Sequence, residues 1–171
     1  MKNNRGEYPI SFILLISAVI LESTLLYKIK ISNVIPDLSL IVLVYIAYRK
    51  GSMTGQVTGF VTGITEDILS LSPMGLNAFI KTFIGYIYGI IQGNVFVDPL
   101  LMPIILVAVA TLIKALLLAV LGVVFPIPQI TTHFFTHDLW ISILYNSLLA
   151  PFLFALLNLI KVLKPGEKEI R

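Results

Sequence analysis

"GSMTGQVTGFVTGITED", residues 51–67, sets four glycines four apart, Gly51, Gly55, Gly59 and Gly63, and follows them with Glu66 and Asp67. Glycine costs roughly 1 kcal/mol relative to alanine in a helix interior. In water such a stretch reads as a poor helix. In lipid the same small residues let two backbones approach closely, and helix association there relies on that packing. The reading therefore turns on the solvent around the stretch.

The rest of the chain decides for lipid. Of 171 residues, 57% are hydrophobic and only 12% are charged, whereas soluble domains are about a quarter charged. Mean hydropathy is +0.96, which points to an integral membrane protein. There is no cysteine, which excludes disulfides, thiolate catalysis and Cys-type zinc sites. The opening apolar run from Ile10 to Tyr27 is long for a signal-peptide core and precedes no A-x-A-like cleavage site. It reads as a retained first helix.

Six apolar stretches follow one another, at 10–27, 34–48, 51–71, 75–95, 99–125 and 138–161. They predict an all-α bundle of six transmembrane helices in a single polytopic membrane domain. Breakers fit between them: Pro36 opens the second, "SPMG" at 72–75 turns between third and fourth, and "PIP" at 126–128 ends the fifth. With six spans both termini share a side. That side carries Lys2, Arg5, Arg49, Lys50, Lys161, Lys164, Lys168 and Arg171, against Lys28 and Lys30 on the other. The excess of basic residues places both termini in the cytoplasm.

A second ladder, Gly85, Gly89 and Gly93, lies in the fourth stretch. Joined by a tight turn, the third and fourth spans predict an antiparallel hairpin, in which level residues share one index sum. Gly63 with Gly85, Gly59 with Gly89 and Gly55 with Gly93 all sum to 148. A spacing of four drifts about 40° per step around the helix, which favours a right-handed crossing. Asp67 and Lys81 share the same sum. They are expected to pair on the glycine face near the outer end of the hairpin, since an unpaired charge in the membrane is costly.

Other polar residues gather on the outer side: Glu22 late in the first span, Asp37 behind Pro36, Glu66 beside Asp67, and Asn146 in the last span. Pro151, five residues on, frees a helix carbonyl. Polar groups from five helices predict an outward-facing polar cavity, with Glu22, Pro36, Asp37, Asp67, Lys81, Asn146 and Pro151 as its candidate lining. The alternative is that Glu22, Asp37 and Glu66 lie at headgroup level, and that an Asp67–Lys81 pair merely pins the hairpin. Lys114, mid-span in the fifth helix, either snorkels or finds a carboxylate. His133 and His137 stand four apart, a spacing that can chelate zinc on a helix, but Phe134 replaces the glutamate of H-E-x-x-H. No metal or cofactor is expected. Neither a nucleophile–base pair nor a phosphate loop nor a basic nucleic-acid surface is present, so no enzyme is expected.

Four segments together resemble the bacterial rod shape-determining protein MreD family: "PDLSLIVLVYIAY" from Pro36, "GFVTGITEDILS" with Gly59, Gly63 and Asp67, "MGLNAF" with Gly75, and "YNSLLAP" with Asn146 and Pro151. The resemblance covers roughly residues 10 to 161. The full glycine ladders and the extra Glu66 depart from the family pattern. The resemblance implies a non-enzymatic inner-membrane subunit of the cell-wall elongation complex. It implies binding to MreC, a bitopic coiled-coil protein, and through it an association with RodA, a class B penicillin-binding protein and MreB. It also implies a fold similar to the substrate-binding S components of energy-coupling-factor vitamin transporters. A vitamin-uptake S component is the alternative function, followed by another small transporter or channel-like protein. The outer cavity would hold a partner's segment in the elongation-complex reading and a small molecule in the uptake reading.

Overall fold

A computed structural model describes residues 7–24, 34–70, 72–91, 100–124 and 137–159. These form six helices: α1 Glu7–Thr24, α2 Leu38–Lys50, α3 Ser52–Leu69, α4 Leu76–Ile90, α5 Leu101–Val124 and α6 His137–Asn158. The chain is thus all-helical, with each helix inside or close to one of the six expected stretches. By length and composition α5 and α6 are apolar enough to cross a membrane.

The helix α2 is the centre of the molecule. Every residue from Ser39 to Ala47 is buried, as expected of a helix that is apolar on all sides. It contacts all five other helices. Around it, α1 packs on α3, α3 on α4, α4 on α5 and α5 on α6. At 13 residues, α2 is about 20 Å long, short of the roughly 30 Å of a bilayer's hydrocarbon core. A helix sheathed by protein does not have to meet that length. Its two ends are sharply made. Asp37 caps the start by accepting from the Leu40 amide at 2.8 Å. Gly51, at φ 86°, ends it and leads directly into α3.

The helices α2 and α6 run parallel in a fixed register. Asp37 meets Asn146, the Tyr45 ring meets Phe154 edge-on at 5.1 Å between centroids, and Arg49 meets Asn158. The three pairs share one index offset, 109. On α6 the buried residues begin at Asn146. On α5, after Thr111, only Gly122 is buried. The outward faces carry large apolar side chains such as Leu116, Val120, Leu148 and Phe152. A soluble protein rarely exposes a patch of that extent.

The glycine helices α3 and α4 do pack closely, but in a different register. A Cβ on Gly55 would strike the Gly85 carbonyl, one on Gly59 the Lys81 carbonyl, and one on Gly63 the Ala78 backbone. Gly89 lies against Ser52 and Gly51. The index sum is thus near 140, eight below the expected value. Among the described residues, Gly55 meets Gly85 and Gly89 meets Gly51, glycine to glycine. The other rungs place a glycine against ordinary backbone on the partner helix. Gly51 is a turn residue rather than a helix-packing one, although its carbonyl carbon does lie beside Gly89. Gly93 lies outside the described residues.

The shift has a physical cause at the turn. The helix α4 starts level with Gly63, not with the end of α3, because Asp67 draws its first turn back. Gly75, at φ 96°, begins α4 without a side-chain cap of its own. Asp67 supplies one from α3. Its Oδ2 accepts from the amides of Gly75 at 2.9 Å and Ala78 at 3.2 Å; its Oδ1 accepts from the Asn77 amide at 3.0 Å and side chain at 2.9 Å. Helix starts carry unpaired donors and partial positive charge, so a carboxylate there is stabilising.

Candidate functional site

Asp67 is therefore not the partner of Lys81, as its sequence position led us to expect. The Lys81 ammonium pairs with Glu66, lies 2.5 Å from the Ser39 hydroxyl and 3.5 Å from Asp37 Oδ1. Neighbouring residues of a helix point about 100° apart. Asp67 turns toward the start of α4, and Glu66 turns toward α2.

These contacts belong to a network to which all six helices contribute. The Ser39 Oγ on α2 is its centre. Within hydrogen-bond reach of it lie Glu22 Oε2 from α1 at 3.1 Å, Asp37 Oδ1 at 2.8 Å, Glu66 Oε1 from α3, and the Lys81 ammonium from α4. The Ser39 amide also donates to Glu22 at 3.4 Å. From α5, Lys114 pairs with Asp37 Oδ2. From α6, Asn146 Oδ1 accepts from the Asp37 amide at 2.9 Å, and its Nδ2 donates to Thr111 of α5 at 3.2 Å. Asp37 is the hub for charge: it caps α2 and touches both ammonium groups.

Burial makes these contacts strong. Lys81 and Ser39 have no exposed surface, so they border no open lumen. Asp37 and Asn146 are also buried. Glu22, Glu66 and Lys114 form the half-buried edge. Among the expected lining residues, the structure thus brings Glu22, Asp37, Lys81 and Asn146 into one network. Pro36, buried, precedes it. Asp67 caps α4 one residue away from it. Pro151 is half-buried further along α6, which continues through it to Asn158. Its missing N–H leaves the Ser147 carbonyl without a helical donor, and the Ser147 hydroxyl is buried with no partner among the described residues.

The sequence reading did not single out Ser39, Thr111 or the second polar contact between α2 and α6. A serine two residues after a capping aspartate, in an otherwise apolar run, is the signal for the first. At the second, the Asn158 carbonyl oxygen accepts from Tyr45 at 3.1 Å and Arg49 at 3.0 Å, and Arg49 also stacks over the Tyr45 ring. Lys114 resolves in favour of a carboxylate. His133 lies outside the described residues, and His137 is exposed at the start of α6.

The carboxylates of Glu22, Asp37 and Glu66 lie within 4.8 Å of one another, a grouping able to ligate a metal ion. Here ammonium groups already occupy two of them. What the arrangement does chemically is to fix six helices through one set of charges. The Ser39 hydroxyl lies beside the Lys81 ammonium and three carboxylates, but it has no exposed surface for a substrate to reach.

With the geometry in view, comparison with known proteins assigns the chain. The family model of the rod shape-determining protein MreD matches residues 5–160. The chain belongs to this family. No curated protein and no solved structure matches it. Membership gives it a role in rod shape determination, in a family of membrane proteins. The family match runs from before α1 to just beyond α6, and so spans every contributor to the network.

Proposed function

We propose that this protein is a non-enzymatic, six-span subunit of the cell-wall elongation complex in the bacterial inner membrane. It would maintain rod shape by binding MreC and helping to position peptidoglycan synthesis. RodA, a class B penicillin-binding protein and MreB associate with it indirectly. The observation that carries this reading is the family match over residues 5–160. The basic residues Arg49 and Lys50 at the α2–α3 junction support cytoplasmic termini, with the ionic network toward the outer face. The parallel course of α2 and α6 agrees with three crossings, α3 to α5, lying between them. The half-buried edge formed by Glu22, Glu66 and Lys114 is the part of the network that a partner's transmembrane or juxtamembrane segment would meet. The bundle would be similar in fold to vitamin-transporter S components.

The test is recovery of the tagged protein from native membranes in mild detergent, with co-purifying proteins identified by mass. The reading expects MreC together with peptidoglycan synthases. Recovery of a transmembrane coupling subunit with two ATPases would overturn it in favour of an uptake system. Single cysteines introduced into this cysteine-free chain would report the topology. A cysteine at position 50 should react only with reagents that cross the membrane.

A further inference from the structure

Among the described residues the ionic network holds an odd number of charges. Glu22, Asp37 and Glu66 face Lys81 and Lys114, three carboxylates against two ammonium groups. The ammonium groups are also unevenly shared. Lys81 pairs with Glu66 and Asp37, and Lys114 with Asp37. Glu22 has no ion pair among the described residues. Its contacts are the hydroxyl and amide of Ser39.

The centre has a second imbalance, independent of the charge count. A serine hydroxyl donates one hydrogen bond and accepts two. Ser39 Oγ has four polar neighbours: one ammonium and three carboxylate oxygens. An ionised carboxylate only accepts. With all three ionised, the one hydroxyl proton serves three acceptors, and two contacts set oxygen lone pairs against each other. Ser39 has no exposed surface, so water does not supply the missing donor there. One carboxylic acid donating to the free lone pair of Ser39 relieves one of the two conflicts and balances the charge. One additional proton thus balances the charge and eases the crowding of acceptors at Ser39. Among the described residues, Glu22 is the group without an ammonium partner to displace.

We propose that the network holds one exchangeable proton on Glu22, and that this proton fastens the outer end of α1 to α2. The groups facing Glu22 are Asp37 and Ser39 from α2 and Glu66 from α3. Behind them stand Lys81 from α4 and Lys114 from α5. On loss of the proton, Glu22 becomes a third charge within 4.8 Å of two carboxylates. The helix α1 packs only on α2 and α3 to any extent, so it is the element that gives way. The proposal does not depend on which partner the protein binds.

The experiment is infrared difference spectroscopy on the full chain in lipid nanodiscs. At neutral pH a carbonyl band of a protonated carboxylic acid is expected in the wild type and in Asp67→Asn, and lost in Glu22→Gln. Glutamine reproduces the neutral side chain, so this variant should fold. A second measurement follows spin labels on Leu21 and Met74, both exposed, as pH is raised. Their distance should lengthen in the wild type and stay fixed in Glu22→Gln. Absence of the band at neutral pH, or its survival in Glu22→Gln, overturns the proposal. So does a pH-dependent separation that is the same in both proteins.

Discussion

Replacing Lys81 by methionine isolates what the network contributes. Methionine keeps an unbranched apolar stem in a site with no exposed surface and removes only the ammonium group. Asp37 retains Lys114, but Glu66 loses its ion pair and keeps the Ser39 hydroxyl. Breaking a buried pair by removing one partner costs about 3–5 kcal/mol, mostly because the other charge is left uncompensated. The Glu66 side chain is 14% exposed, so water relieves part of this, and the low end, about 3 kcal/mol, is expected. The double variant Lys81→Met/Glu66→Gln removes the orphan charge as well. It should regain more than half of the loss, since replacing a whole buried pair by groups of similar shape is often close to neutral. The assay is the thermal midpoint in lipid nanodiscs for the wild type, both singles and the double, read as a double-mutant cycle. If the double variant is as unstable as Lys81→Met, the two groups do not act on each other and the pairing is wrong. A normal midpoint for Lys81→Met would refute the wider reasoning that the ammonium group is essential to the network.

Other perturbations separate the remaining contacts. Gly59→Ala should destabilise by about 1–2 kcal/mol even though alanine is the better helix former, because its Cβ meets the Lys81 carbonyl and overpacking costs about 1–3 kcal/mol; the same thermal assay reads it. Gly75→Ala meets no neighbour within 4 Å but sits at φ +96°, so it should lose roughly 1–2 kcal/mol to backbone strain alone. Asp67→Ala should cost about 1–2 kcal/mol as a lost cap, with faster hydrogen exchange at amides 75–78. Asn146→Leu leaves the buried Asp37 amide without its acceptor, at about 1–3 kcal/mol, and should loosen α6 from α2, detected as protease cleavage near Trp140.

Much of the architecture was legible because lipid simplifies the code. Long apolar runs and their breakers located the six described helices, two of which are long and apolar enough to cross a membrane. The glycine ladders marked a close helix pair because no other residue permits such backbone approach. Their register was not legible. The index sum assumed that both helices begin at the turn, and Asp67 breaks that assumption by capping α4 from the side. One clue was present: "SPMGLN" offers α4 no capping residue immediately before Leu76, so a cap had to come from elsewhere. An ion pair between the acidic end of α3 and Lys81 was likewise readable, but the expected partner was Asp67, and which carboxylate faced Lys81 depended on rotation about α3, which follows from the register. Ser39 escaped notice because a lone serine in an apolar run has no distinctive pattern.

The placement of the charges has a reason that stability alone does not supply. Buried ion pairs are often no more stabilising than apolar packing of the same volume, and in lipid apolar side chains give helices little reason to prefer one neighbour over another. An α2 lined with "LIVLVYIA" at 40–47 could slide or rotate among its five neighbours at small cost if packing alone held it. Asp37 and Ser39 at one end and Tyr45 and Arg49 toward the other remove that freedom, because sliding by one residue breaks contacts to Asn146 and Asn158 together. With α2 fixed at both ends, the neighbouring helices are fixed through it. Glu22, Glu66, Lys81 and Lys114 each reach the same few atoms on Asp37 and Ser39 from a different side. A central helix pinned by polar contacts at both ends thus holds the bundle in one shape, which apolar packing alone would not.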